Sequence, residues 1–394
     1  MCEKINPSRL CFINKKVYFC TEFLIMHMKK IFILAWLILV WGNVSAQHGH
    51  EPDKSGEHTE KQEEGFDTGK LVAHHLSDSH DYLFELPFIH KTIHLPVILW
   101  TDKGLSVFSS KAFQGDNEGR VVVTDDKGNK FVRIHEVIYY ADKVGGHDHP
   151  SVFDFDSRPL DFSITRNVVA IFFVFVLLFV VLYYTVKGYN NPKKLPKGLA
   201  SFLEPIIIFI RDDVAIPNIG KDKYEKYMPY LLTVFFFILF SNLIGLIPFA
   251  PFGHNITGNI LVTFVLATFT FIITTLSGNK HYWKHILAPD VPKALWPIMV
   301  PIEILGMFTK PFALMVRLFA NILAGHTIII SLVALIFIFG SLAVSPVSAF
   351  FVIFMSFIEL MVAFIQAYIF TILSALFIGL AVEEHEEHAH ETSH

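Results

Sequence analysis

One arginine constrains this chain more than any other residue. From Pro311 to Phe339 the sequence is apolar almost throughout, yet it carries Arg317, followed by Asn321 and His326. A guanidinium stays protonated, and at the centre of a spanning helix it costs roughly 2.5–3.5 kcal/mol on insertion scales and more in simulations. Lipid is therefore the wrong neighbour. On a helical wheel Asn321, Ala324 and Gly325 share the side of Arg317, so this face offers a charge, an amide and small residues that permit close approach of another helix. His326 points away from it, which gives one helix two polar surfaces aimed in different directions.

Composition assigns the class. Charged residues make up 17% of the chain and Phe occurs 40 times, whereas soluble domains carry about 25% charge. The apolar residues gather in long runs, as in an all-α polytopic membrane protein with about five to six membrane-embedded helices. A net charge of −4 gives no reason to expect a nucleic-acid partner.

Residues 28–46 read as a secretory signal, with Met28-Lys29-Lys30 as a basic start, Ile31 to Trp41 as an apolar core, and Val44-Ser45-Ala46 as a cleavage site before Gln47. Residues 1–27 ahead of it read as an over-extended start, the initiator being Met26 or Met28; the alternative is a real extension before an internal signal anchor. Cys2, Cys11 and Cys20 all fall in that prefix, so the mature chain has neither a disulfide framework nor a thiol nucleophile. Residues 47–163 form an extracytoplasmic region. Its leader, disordered to about residue 80, includes the acidic, histidine-rich His48 to Gly65, too poor in apolar residues to order itself. A small β module follows, with runs at Thr92 to Trp100, Leu105 to Phe108, Arg120 to Thr124 and Phe131 to Tyr140, and a hairpin turn at Asp125 to Asn129. His147-Asp148-His149 and the tail 383–394 read as solvated His/Glu segments rather than a metal site, because no pair fits a helix-borne HExxH.

The membrane domain covers 164–382. Its first span, Val168 to Tyr184, is followed by Lys187, Lys193, Lys194 and Lys197, which mark the cytoplasmic side. Leu199 to Arg211 lies on or in the inner surface. Tyr227 to Pro248 returns outward to a loop, Pro251 to Thr257, that lacks lysine and arginine, and Ile260 to Leu276 goes back to Lys280 and Lys284. Leu295 to Met307, interrupted by Pro297 and Pro301 and carrying Glu303, reads as an embedded helix leading into the arginine helix. Pro311 to Phe339 and Ser348 to Val382 would run about 43 and 52 Å, against a hydrocarbon thickness of about 30 Å, so tilt, kinking or extension must absorb the excess. Gly340 to Pro346 joins them as an outer loop, and the tail is cytoplasmic. On the second of these helices Glu359 and Gln366 share a face with Ser356 nearby, and a membrane arginine needs such polar company.

Lys310-Pro311 followed by Arg317-Leu-Phe-Ala-Asn-Ile-Leu-Ala-Gly325 closely resembles the arginine helix of subunit a of F-type ATP synthases, supported by Asn242-Leu-Ile-Gly-Leu-Ile-Pro248 and by Glu359 and Gln366-Ala-Tyr-Ile-Phe370. The resemblance covers roughly residues 164–384. It implies an Fo stator subunit of the inner membrane that passes protons to a ring of c subunits, with a b-subunit stalk and other ATP synthase subunits as partners. Two offset half-channels would serve the c-ring carboxylate, with Arg317 between them and Gln366 beside Arg317. His326 and Glu359 would form a relay; many bacterial relatives place these two residue types on the opposite helices, and a packing salt bridge is the other reading of the pair. Glu303 matches an acidic position associated with the proton path, and is otherwise an interfacial carboxylate. No P-loop occurs, so nucleotide chemistry would reside in other subunits and no cofactor is expected here. A self-contained proton-coupled transporter is the alternative, but such folds often show paired halves with interrupted helices, and no such repeat is found.

Overall fold

Strands come first along the chain and helices after them, in the order that the two hydrophobic patterns dictate. The computed structural model describes residues 78–86, 89–144, 155–189, 196–247, 256–289, 291–292, 295–339 and 344–383. Residues 1–77, on which the expected over-extended start, signal and most of the leader fall, lie outside them, as do His147 to His149, the tail beyond Glu383 and the His326 side chain.

The β module has eight described strands: β1 (Asp81–Leu86), β2 (Ile89–His94), β3 (Pro96–Thr101), β4 (Gly104–Ser109), β5 (Val123–Thr124), β6 (Lys130–Ile134), β7 (Val137–Tyr140) and β8 (Leu160–Asp161). They pair antiparallel as β1-β2, β4-β3-β8 and β5-β6-β7. Val97, Leu99, Phe113, Phe131 and Ile138 form the core, with Phe108 stacked on Phe131. The run Thr92 to Trp100 is two strands rather than one. Buried Leu95 turns its backbone to other partners, its N–H donating to the His80 carbonyl and its own carbonyl accepting from Ser110. Phe131 to Tyr140 is likewise a hairpin, whose two-residue turn sets His135 and Glu136 at φ +49° and +67°, the sign that suits the twist of paired strands. Asn117 holds this turn by accepting from the Glu136 N–H and donating to its carboxylate. The turn at Asp125 forms as expected, with its carboxylate accepting from the Lys127 and Asn129 N–H groups.

A buried charge network fills the centre of the module. Arg133 is 2% exposed; its Nη1 lies 3.0 Å from Asp81 and 3.7 Å from Glu136, and its Nε donates to the Asp116 carbonyl. His80 is enclosed between Glu136 at 3.9 Å and Asp161 at 3.5 Å, ion-pair contacts longer than direct hydrogen bonds. Asp78 accepts from the Asn167 N–H and the Ser79 carbonyl from the Arg166 N–H, so the same corner holds the start of the first long helix.

That helix is α1 (Arg166–Gly188). Then come α2 (Leu199–Phe209), a π-helical stretch (Ile210–Ala215), α3 (Ile216–Ile219), α4 (Tyr224–Gly245), α5 (Ile260–Ser277), α6 (Lys280–Leu287), α7 (Trp296–Phe339) and α8 (Val344–Val382). Five of these, α1, α4, α5, α7 and α8, are long and apolar enough to cross a membrane. The protein is thus a polytopic helical membrane protein with a small N-terminal β region. α4 is its buried centre, packing Leu231, Phe236 and Ile238 against neighbours on all sides. Hydroxyls tie the bundle: Tyr230 lies 2.7 Å from Thr270, which lies 3.3 Å from Ser374, joining α4, α5 and α8.

Two boundaries differ from the sequence reading. The segment carrying Glu303 and the arginine helix are one continuous α7, because Pro297 falls in the first turn, where its missing N–H costs nothing, and the surrounding residues carry the helix through Pro301 and Pro311. α8 begins at Val344, inside the expected loop. Its C-terminal end is firmly held: Asn279 donates from its backbone to the Ala381 carbonyl and from its amide to Val382, Lys223 also donates to Val382, and a Cβ on Gly379 would collide with the Asn218 carbonyl oxygen.

Candidate functional site

The candidate residues gather on the seam between α7 and α8. Asn321 donates from Nδ2 to Oε1 of Gln366 at 3.2 Å, and Gln366 is 2% exposed. One turn along α7, Gly325 packs on Glu359, such that a Cβ there would stand 3.1 Å from Oε1. Toward the N-terminal end of α8, the Ser348 hydroxyl donates to the Leu332 carbonyl. Hydrogen bonds thus join the hairpin at two levels, and Glu359 is buried to 7% exposure between them. Ser356 does not join the seam, since its hydroxyl donates to the Val352 carbonyl of its own helix.

Gln366 and Glu359 both face the Asn321 and Gly325 side of α7, because residues at i and i+4 stack on one helical face. His326 follows Gly325 directly, which puts its backbone at the level of Glu359.

Arg317 is one turn before Asn321 but is exposed, and no hydrogen bond or ion pair among the described residues holds it. It stands beside a broad apolar flank. On α7 this includes Ile302, Leu305, Phe308, Phe312 and Val316, and on α8 Phe350, Ile353, Phe357 and Phe364, all exposed. A contiguous apolar surface of this kind marks a contact with lipid or protein. Glu303 precedes Arg317 on the same helix by a rise of about 21 Å, so it is not brought to the seam.

Two contacts that matter here were not foreseen from sequence. Gly325 was read only as part of a small surface and of the motif, and its contact with Glu359 depends on the pairing of α8, which no local pattern reveals. Lys310, also part of the motif, lies over the Phe377 ring at 5.8 Å and links α7 to the C-terminal part of α8.

Residues 168–379 match the family model described as ATP synthase A chain, and residues 71–162 match a domain of unknown function. The chain is 49% identical over 245 residues to ATP synthase subunit a of Chloroherpeton thalassium, covering 59% of this chain and 72% of the relative. Against ATP synthase subunit a of Myxococcus xanthus it is 47% identical, covering 62% and 82% respectively. With ATP synthase subunit a 2 of Chlorobium luteolum the identity is 40% over 354 residues, 88% of this chain and 81% of the relative, a match that extends beyond the membrane helices. The membrane helices, the polar seam and these similarities agree: the chain belongs to the ATP synthase subunit a family.

Proposed function

We propose that this chain is the stator-side ion path of an Fo sector, carrying protons to and from a carboxylate on a ring of c subunits. Membership of the family makes it a membrane Fo subunit rather than a catalytic enzyme by itself. The observation that carries the finer reading is Arg317, an exposed cation on the flank of an apolar helical face with no partner among the described residues. A charge so placed is completed by an anion on another protein surface, and an ionised ring carboxylate moving past the α7–α8 flank supplies one. The apolar residues around Arg317 exclude water there, which strengthens the attraction.

In this reading Arg317 separates two half-channels. A ring carboxylate takes a proton from the outer path, crosses lipid as a neutral acid, and gives the proton up when it meets Arg317. The guanidinium favours the ionised form and obstructs direct passage of protons, each of which moves charge worth about 2.3 kcal/mol per 100 mV. Glu359 and His326 serve the outer path, the Asn321–Gln366 pair sets the angle at which α8 passes Arg317, and Glu303 lies toward the inner path. The lysines after α1 set the orientation: β module outside the inner membrane, C-terminus in the cytoplasm. A b-subunit stalk holds the chain against the ring.

The test is made in vesicles containing equal amounts of assembled complex. Arg317→Ala should abolish ATP-driven proton pumping while permitting passive, ring-dependent leakage. Near-normal coupled pumping in that variant refutes the proposal.

A further inference from the structure

A second cationic feature lies far along the chain from Arg317, at the end of the first span. α1 buries Ala170, Val174, Leu178 and Leu182 and exposes Phe173, Val176, Val180 and Tyr184 on another side, an apolar stripe that ends at exposed Lys187. Two glycines shape the chain's return to α2. A Cβ on Gly188 would meet the Ala200 Cβ at 2.7 Å and the Lys197 carbonyl oxygen at 2.9 Å, and Gly198 adopts φ +62°. Only glycine permits that approach. It places Lys197 across from Lys187 at a recess of about 370 Å³ lined, among the described residues, by Tyr184, Lys187, Gly188, Lys197 and Leu199. None of those residues is acidic. Leu199 and Phe202, both exposed, extend apolar surface along α2.

Two lysines lining one recess give it a positive charge that favours an anion. An apolar track leading to a cationic seat at the end of a spanning helix fits one ligand chemistry, acyl chains attached to an anionic phosphate. We infer that the recess seats the headgroup of an anionic phospholipid whose acyl chains lie along the stripe from Phe173 to Tyr184. Tyrosines are at home at headgroup depth, and basic pockets beside membrane helices recognise acidic headgroups. A zwitterionic lipid would bring a third cation to the site and is disfavoured. The inference rests on α1 spanning the membrane and not on the role of Arg317, so the two readings fail separately.

The experiment uses the whole complex in nanodiscs of phosphatidylethanolamine doped with photoreactive phosphatidylglycerol. Labelling is mapped by peptide mass spectrometry in the wild type, in Lys187→Gln/Lys197→Gln and in Lys187→Arg/Lys197→Arg. Wild type and the arginine pair should label between Tyr184 and Phe202, while the glutamine pair loses about thirtyfold, the loss that two interfacial lysines imply. Excess inorganic phosphate should leave the label in place. Equal labelling in the glutamine pair, displacement by inorganic phosphate, or a photoreactive residue at Tyr184 that captures another subunit instead of lipid would each overturn the inference.

Discussion

Two arginines in this chain solve opposite problems. Arg133, in the β module, is enclosed by Asp81, Glu136, the Asp116 carbonyl and the Phe113 ring, all from its own module. Arg317, in the long hairpin, stands exposed with no such enclosure among the described residues. The first charge is completed within the chain and contributes to folding. The second has no such partner, which is costly on an apolar helix, and the role proposed for it above is to act on another surface. Under that proposal, burial and exposure of a charge distinguish, within one molecule, a residue that holds the fold from one that acts on a partner.

The largest effects should separate the two. Arg317→Ala should abolish coupled pumping and leave the melting temperature of the assembled complex nearly unchanged. Arg133→Ala should do the reverse, destabilising the β module by about 3–5 kcal/mol because Asp81 and Glu136 remain buried without their cation. Hydrogen exchange over residues 81–140 reports the second and vesicle pumping the first. If Arg317→Ala unfolds the complex as Arg133→Ala does, the contrast collapses.

The next largest effect sharpens the seam. Gly325→Ala puts a methyl 3.1 Å from the Glu359 carboxylate oxygen, whereas Gly306, on the same helix, has nothing within 4 Å of an added Cβ. Transport should drop on the order of tenfold in Gly325→Ala, equivalent to about 1.4 kcal/mol. Gly306→Ala should be neutral or slightly stabilising, by about 0.5–1 kcal/mol from helix propensity. Equal transport in both variants would mean that the Glu359 position is not critical.

A third test concerns His80. Burial, the largest influence, pushes its pKa down, but the Asp161 and Glu136 carboxylates beside it outweigh that and raise the value to about 9. A raised histidine stabilises the folded form fully below its unfolded value near 6.5, and that contribution is lost as pH rises through about 9. Thermal melting of the module within the complex should therefore worsen between about pH 6.5 and 9, and His80→Gln should flatten that slope. A slope unchanged by the substitution would count against the charged state of His80.

The smallest effect belongs to Asn321. Asn321→Ala removes one amide contact worth about 0.5–1.5 kcal/mol, and its coupling to Gln366→Ala in a double-mutant cycle should be of the same size. Additive losses would show that the 3.2 Å contact does not bind the two helices together.

How much was legible in advance follows from the range over which each signal acts. Arg317, Asn321, Glu359 and Gln366 are conspicuous because polar residues in apolar helices are expensive, and the heptad spacing of Glu359 and Gln366 already places them on one face. The spans follow from apolar runs and the lysines that bound them. The continuity of α7 was hidden because proline is a strong local breaker that a long helix can still carry. The split at Leu95 and the turn at His135-Glu136 were hidden because each depends on a distant partner, Ser110 in one case and Asn117 in the other. The Arg133–His80 network was illegible for the same reason: its members come from β1, β6, the turn after it and β8, and nothing in their spacing announces that they meet.

The anchoring of α8 has a mechanical consequence. Its C-terminal part is built into the bundle through Ala367, Phe370, Ala375 and Ile378 and pinned at Val382, while the N-terminal half exposes Phe350, Ile353 and Phe357 and touches Leu332 through Ser348. It is a beam clamped at one end and propped near the other. Gln366 sits where the beam leaves its clamp, about 24 Å from Val382, and Glu359 about 35 Å from it. Bending displaces the second more than the first, so a load along the outer flank would shift the carboxylate while leaving the amide in register with Asn321.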